Sequence, residues 1–196
     1  MPRRSSDTRE QVLAAAHDLF YWRGIHATGV DAVAERAQVA PTTLYRLFSS
    51  KDGLVAAYAE RADRGARAWF DDAVQAAGTR PRARILAVFD ALAGEVAADD
   101  FRGCACMMTL AEYPDRTAGA HRCAVAGKQW VLDRFRSMAG DLAAAGQARS
   151  PQDLAEDLTL ILEGVLASAQ ALGPAGPARR GRALAGRTLD SAALAG

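Results

Sequence analysis

The sequence predicts an all-α fold. Ile occurs only at positions 25, 85 and 161, while Ala, Leu and Arg abound, a balance that favours helix over sheet. Apolar residues recur at spacings of three and four along most of the chain. Breaks at Gly24, 78–81, 113–115 and 173–177 cut these stretches into about nine helices, three near the N-terminus and the rest in a larger second part.

The first helix begins near Ser6 or Asp7, either of which can cap exposed N–H groups. Its stripe is Val12, Leu13, Ala16, Leu19 and Phe20, and Gly24 stops it. A second helix opens at Thr28, with Asp31 three residues on as a capping-box-like partner, and turns Val33 and Ala37 inward. Pro41 suits the first position of a third helix, whose apolar face is Leu44 and Phe48. Ser49 and Ser50 are the candidate caps of a fourth helix. That helix carries Leu54, Val55, Tyr58, Ala62, Ala66, Trp69, Phe70 and Val74 on one period to about residue 76.

The fifth helix covers 82–97, with Ile85, Phe89, Leu92 and Val96 inward. A short sixth over 102–113 ends at Tyr113-Pro114, and a seventh over 118–144 buries Val131, Phe135, Met138 and Leu142. Ser150 caps an eighth helix that opens at Pro151 and closes at 173–177. A ninth fills 178–194.

A chain of 196 residues, half of them hydrophobic and about a quarter charged, is long enough for one large domain or two small ones with a real core. The net charge of +1 does not advertise a nucleic-acid partner, but its distribution is more suggestive. Arg3, Arg4, Arg9, Arg23, Arg36, Arg46 and Lys51 outnumber the acidic residues over 1–51. The first residues lack the apolar run of a signal peptide, and no stretch reaches membrane-spanning length. A cytoplasmic location without a membrane partner is therefore expected. Three cysteines cannot all pair within one chain, which fits reduced thiols.

Residues 28–54 carry the most information. They read as two short amphipathic helices joined by a tight turn with a third starting behind them, the arrangement by which a helix-turn-helix presents a recognition helix to the major groove. Hydroxyl, phenol and guanidinium groups crowd the second of these helices. The Leu19-Phe20 pair, Gly24, Thr28-Gly29-Val30 and Ala34-Glu35-Arg36-Ala37 resemble the DNA-binding domain of the tetracycline-repressor (TetR) family of bacterial transcription regulators. Above all, so does the run Thr43-Leu44-Tyr45-Arg46-Leu47-Phe48-Ser49-Ser50-Lys51.

The resemblance implies a helix-turn-helix domain over 1–50 and a ligand-binding and dimerisation domain over 51–196. It implies a homodimeric regulator, a repressor, that binds a palindromic operator in double-stranded DNA and is released by a small apolar or aromatic effector. No cofactor and no catalytic residue is implied. Geometry and family pattern together place Thr42, Thr43 and Arg46, on the helix that Pro41 opens, at base edges and nearby phosphates. Tyr45, Lys51 and Thr28 occupy positions that in the family touch backbone phosphates. Arg3 and Arg4 are read as a flexible arm. Two positions depart from the family pattern. Gln38 stands where the turn often has Gly, at a steric cost if φ is positive, and Ala40 stands where a capping Ser is common.

Trp69, Phe70, Phe89, Phe101, Met107, Met108, Leu110, Tyr113 and Trp130 lie in the helices that in this family surround a ligand cavity, with plain core as the alternative. Glu112, His121 and Glu163 are candidate polar anchors. The eighth helix carries Leu154, Leu158, Ile161, Leu162, Val165, Ala169 and Leu172 on a broad stripe. Gly164, Ala167, Ser168 and Ala171 would admit a close neighbour. Amphipathicity alone does not separate core from interface, and the resemblance favours a four-helix dimer interface.

Cys104 and Cys106, two apart on a helix, point about 200° away from each other, so no metal site is expected. Cys104, near Arg102 and a helix start, offers an alternative: a regulator that senses oxidants or electrophiles through its thiol. A small helical enzyme is the remaining reading. It is disfavoured because the chain has no credible triad, nucleotide-binding glycine loop or metal-ligand cluster.

Overall fold

The computed structural model describes residues 5–194, and within them the chain forms nine helices and no strand. They are α1 (Ser5–Arg23), α2 (Val30–Arg36), α3 (Pro41–Phe48), α4 (Lys51–Ala76), α5 (Pro81–Ala97), α6 (Ala105–Glu112), α7 (Gly119–Ala144), α8 (Pro151–Leu172) and α9 (Ala175–Leu194). The expected Arg3–Arg4 arm lies outside the described residues. Among those residues no helix is long and apolar enough to cross a membrane.

Three helix starts differ from the sequence reading, and the first is α6, which opens at Ala105 rather than 102 and so leaves Cys104 ahead of the helix. α2 opens at Val30, with Gly29 as N-cap and no side-chain cap, so the Thr28–Asp31 capping pair does not form. The Thr28 hydroxyl instead donates to the Gly24 carbonyl at 2.8 Å, and the residue is only 3% exposed. α9 opens at Ala175 and takes Pro177 into its first turn. Proline is tolerated there because first-turn N–H groups have no helical acceptor.

The chain divides into two compact units. One runs to Gly65 and includes Ala105–Gly127; the other comprises Ala66–Cys104 and everything from Lys128 onward. In the first, Val12, Leu13, Ala16, Leu19 and Phe20 of α1 pack with Val33, Leu44, Phe48, Leu54, Val55 and Tyr58 in one buried cluster. The Phe20 and Tyr58 rings meet edge to face at 5.5 Å. Burying each large side chain stabilises by about 1.5–3 kcal/mol, so the stripes foreseen in α1 to α4 hold the small helices in place.

In the second unit α8 and α9 pack on each other, and α5 lies against both. Its core is Ile85, Phe89, Leu92, Phe135, Met138, Leu154, Leu158, Leu162, Val165 and Leu189 with smaller neighbours. Arg82–Asp190 and Arg182–Asp90, each 2.7 Å, join α5 to α9 at the surface, where such pairs add little beyond register.

Candidate nucleic-acid interface

The α2–turn–α3 geometry is set residue by residue. Ala37 closes α2, and Gln38 then adopts φ +54°, the left-handed conformation that the turn demands. A non-glycine residue there carries about 1–2 kcal/mol of strain. The Gln38 and Val39 N–H groups bond back to Glu35 and Ala34 carbonyls at 2.9 and 3.0 Å, which keeps the turn tight. Ala40 is the N-cap of α3 and offers no side-chain acceptor, while Pro41 at the first position needs none.

α3 buries Leu44 and Phe48 and turns the opposite face outward. Pro41, Thr42, Tyr45 and Arg46 are exposed, Tyr45 to 49%, and Thr43 and Lys51 are half-buried. Ser49 ends the helix at φ +64°. The Ser50 hydroxyl then accepts the Gly53 N–H at 3.0 Å and so caps α4. A Cβ on Gly53 would collide with the Phe48 carbonyl oxygen, so the start of α4 sits directly against the end of α3.

Electrostatics separate these side chains from their neighbours. Arg36 pairs with Asp18 at 2.6 Å and Arg61 with Glu10 at 2.5 Å, and Arg9 lies over the Phe48 ring at 5.1 Å. Tyr45 and Arg46 have no such side-chain partner among the described residues. An exposed guanidinium, phenol and threonine hydroxyl on one short helix are suited to a polyanion with readable base edges. Thr28 is not exposed alongside them, because its hydroxyl faces the Leu19 and Gly24 carbonyls.

The first unit holds one further constellation, which gives Glu112, His121 and Tyr113 partners that no sequence spacing foretells. Glu112, at the end of α6, accepts the Ile25 and His26 backbone N–H groups at 2.8 and 2.7 Å. The His26 ring bonds to the Glu112 carbonyl at 2.6 Å and stacks on Tyr113 at 5.1 Å. Tyr113 donates to Asp52 at 3.1 Å, and the His121 ring bonds to its carbonyl oxygen at 2.7 Å. Burial and the acceptor Asp52 push the Tyr113 phenol up to about 12. Glu112, His121 and Tyr113 therefore brace the α1–α2 connection and the start of α4.

The residues expected to line an effector cavity are distributed differently. In the second unit Phe70 and Phe89 are buried, and each packs on Phe135 at 5.5 and 6.0 Å, so they fill the core. Trp69 and Trp130 are half-buried, and Arg67 and Arg134 lie over the Trp130 ring at 5.1 and 5.7 Å. In the first unit Met107 is exposed, and Met108 and Leu110 are half-buried. The second unit's surface has a cleft of about 560 Å³ elsewhere, between Arg149–Asp157 side chains of the α8 start and Leu184–Ala192 of α9.

The expected dimer stripe also divides. Leu154, Leu158, Leu162, Val165 and Ala169 are buried within this chain's own core, with Ile161 packed beside them. The outward row of α8 is Leu160, Gly164, Ala167 and Ala171, with Leu160 70% exposed and Leu172, at the helix end, 80% exposed.

Comparison with known proteins adds independent findings. The family model described as bacterial regulatory proteins, tetR family, matches residues 12–58. The crystal structure of SCO4454, a TetR-family transcriptional regulator from Streptomyces coelicolor, is 30% identical with a TM-score of 0.88, over 96% of this chain and 97% of that one. The HTH-type transcriptional regulator TcmR of Streptomyces glaucescens is 29% identical over 157 residues, 79% of this chain and 66% of TcmR. The HTH-type transcriptional activator FasR of Mycolicibacterium smegmatis is 46% identical over 55 residues, 28% of this chain and 25% of FasR.

Proposed function

This chain belongs to the TetR family of bacterial transcription regulators, and on that footing we propose that it is a repressor that binds a palindromic operator as a homodimer. The observation that carries the reading is the outward face of α3, where Thr42, Tyr45 and Arg46 project from a helix seated by Leu44 and Phe48. Residues 1–50 read the DNA in this proposal, and 51–196 pair the subunits and receive the effector.

One helix-turn-helix makes few contacts, so two copies presenting α3 about 34 Å apart suit successive major grooves. The outward α8 row of Leu160, Gly164, Ala167 and Ala171 supplies an apolar, small-residue face for the second subunit. The effector is a small apolar or aromatic compound that engages the half-buried Trp69 and Trp130. Its binding favours a conformation in which α4 is displaced. Because Ser50 and Gly53 bind the start of α4 to the end of α3, that displacement re-aims the recognition helix. Effector and operator then oppose each other reciprocally.

Selection of bound duplexes from random-sequence DNA tests the reading. Enrichment of one inverted repeat is expected; a monomeric protein that enriches no sequence at low ionic strength would overturn it.

A further inference from the structure

In the second unit Lys128 of α7 is held between two acceptors. Its ammonium donates to Cys104 Sγ at 3.1 Å and to both Glu163 carboxylate oxygens, at 2.8 and 2.7 Å. Lys128 and Glu163 are partly shielded, with about a quarter of each side chain exposed, and Cys104 is half-buried. A small solute can therefore reach a charge arrangement that bulk water screens weakly. The backbone ahead of the thiol is also fixed. Gly103 takes φ +138°, a conformation that favours glycine, and a Cβ there would press on the Gln170 side-chain amide of α8.

The geometry points to Cys104 as a covalent capture site for α,β-unsaturated carbonyl compounds, with Lys128 as its ion-pair partner and proton donor. The thiolate, with its proton gone to solvent, is the reactive form, and the adjacent ammonium stabilises it. Its sulfur adds to the β-carbon of the enone. The S–C bond forms, the C=C π pair moves through the α-carbon to the carbonyl as an enolate, and the Lys128 ammonium protonates that enolate. The neutral amine regains a proton from water. Nothing is oxidised and no group leaves, so the product is a thioether. This class of electrophile fits because one ammonium serves both stages, the sulfur before addition and the oxygen-bearing enolate after it. Burial pulls the Lys128 pKa down, but Cys104 and Glu163 outweigh it and hold the pKa above that of an ordinary lysine, so the donor is charged at neutral pH. Glu163 orients the ammonium and takes no part in bond making. The other charged groups nearby in sequence are Arg102 and, just upstream, Asp99 and Asp100.

The test uses the full chain with 2-cyclohexen-1-one as the probe and reads adduct formation at Cys104, Cys106 and Cys123 over time by peptide mass spectrometry. Cys104 is expected to react about tenfold or more faster than the other two thiols. Lys128→Met should lower the Cys104 rate about tenfold and leave Cys106 and Cys123 unchanged. Lys128→Arg keeps the cation beside Glu163 but holds its protons too tightly to give one up. It should preserve the Cys104 rate with iodoacetamide, which needs no proton, and lose the cyclohexenone rate. Equal rates at the three thiols would overturn the site. A Lys128→Arg protein that keeps the cyclohexenone rate, or loses both rates, would overturn the proton-donor role. If Lys128→Met does not fold, the arginine variant carries the comparison alone. No readout involves DNA, so the result stands apart from operator binding.

Discussion

The Glu112 carboxylate accepts the main-chain N–H of Ile25 at 2.8 Å, across 87 positions of sequence, and its second oxygen takes His26 N–H at 2.7 Å. Two otherwise open backbone donors in the α1–α2 connection are satisfied by one charged group from the end of α6. The side chain is half-buried, so water replaces part of what a substitution removes. Glu112→Gln should therefore destabilise by about 1 kcal/mol, a fall of about 2–4 °C in Tm. Thermal unfolding followed by circular dichroism checks this, and an unchanged Tm would show the clamp to be incidental.

Tyr113 makes the same brace sensitive to alkali. Its phenol is desolvated and donates to Asp52, so the neutral form is favoured and the folded pKa is raised to about 12 from the usual 10.0. A raised pKa contributes stability that is complete below the unfolded value and disappears as pH climbs through the folded one. Between about pH 10 and 12 the wild-type chain should lose stability that Tyr113→Phe never had. Urea midpoints of the two proteins at pH 9 and 11 should converge as pH rises. Parallel profiles would remove the Tyr113–Asp52 bond from the account.

The turn between α2 and α3 contains two replaceable defects. Gln38 is held at φ +54°, and Ala40 caps α3 without an acceptor. Ala40→Ser should stabilise by about 1 kcal/mol by bonding a first-turn N–H. Gln38→Gly relieves the left-handed strain but frees the unfolded backbone, so its net gain should be smaller, about 0.5 kcal/mol. Denaturant midpoints of the single and double variants check both. A loss of stability in Ala40→Ser would mean that the serine hydroxyl does not reach the helix start.

Much of this was legible in the sequence because local rules dominate at helices. The Val12–Phe20 stripe, the Leu44 and Phe48 face and the Pro41 start are dictated by period and by a missing N–H, and each is found where expected. Thr28 departs from the expected cap because its hydroxyl has two open roles, accepting an N–H at the start of α2 or donating to a carbonyl. The capping position of α2 was visible in sequence, whereas the Gly24 and Leu19 carbonyls at the end of α1 come near only after folding. Leu158 and Leu160 illustrate the limit in α8. Both are leucines on one amphipathic helix, yet one is fully buried and the other 70% exposed, and only the packing of α5 and α9 decides which. The Glu112 clamp and the Lys128–Glu163 pair join residues far apart in sequence, where no spacing rule applies.

Leu160 gives the proposed subunit contact a sharp test. A leucine 70% exposed, in line with Gly164, Ala167 and Ala171, is unfavourable in water and well placed against a second helix. Leu160→Glu should leave the monomer's core intact, since Leu158 and Leu162 face the other way, and should weaken association about tenfold or more. Sedimentation velocity across a concentration series checks the shift, and circular dichroism confirms the fold. An unaltered dimer would move the interface away from this row.

Arg46 and Tyr45 separate sequence reading from simple adhesion. The Arg46 guanidinium is exposed without a side-chain partner among the described residues, and its planar fork matches a guanine edge. Arg46→Ala should cost about 1–3 kcal/mol on the selected operator and relax preference at one base pair in each half-site. Tyr45 presents a single hydroxyl, suited to a phosphate oxygen, so Tyr45→Phe should weaken all operators by a similar factor, about fivefold, and leave their ranking unchanged. Fluorescence anisotropy against a panel of single-base operator variants distinguishes the two patterns. A uniform loss for Arg46→Ala would assign that side chain to the phosphates, and a changed ranking for Tyr45→Phe would place the phenol at a base edge.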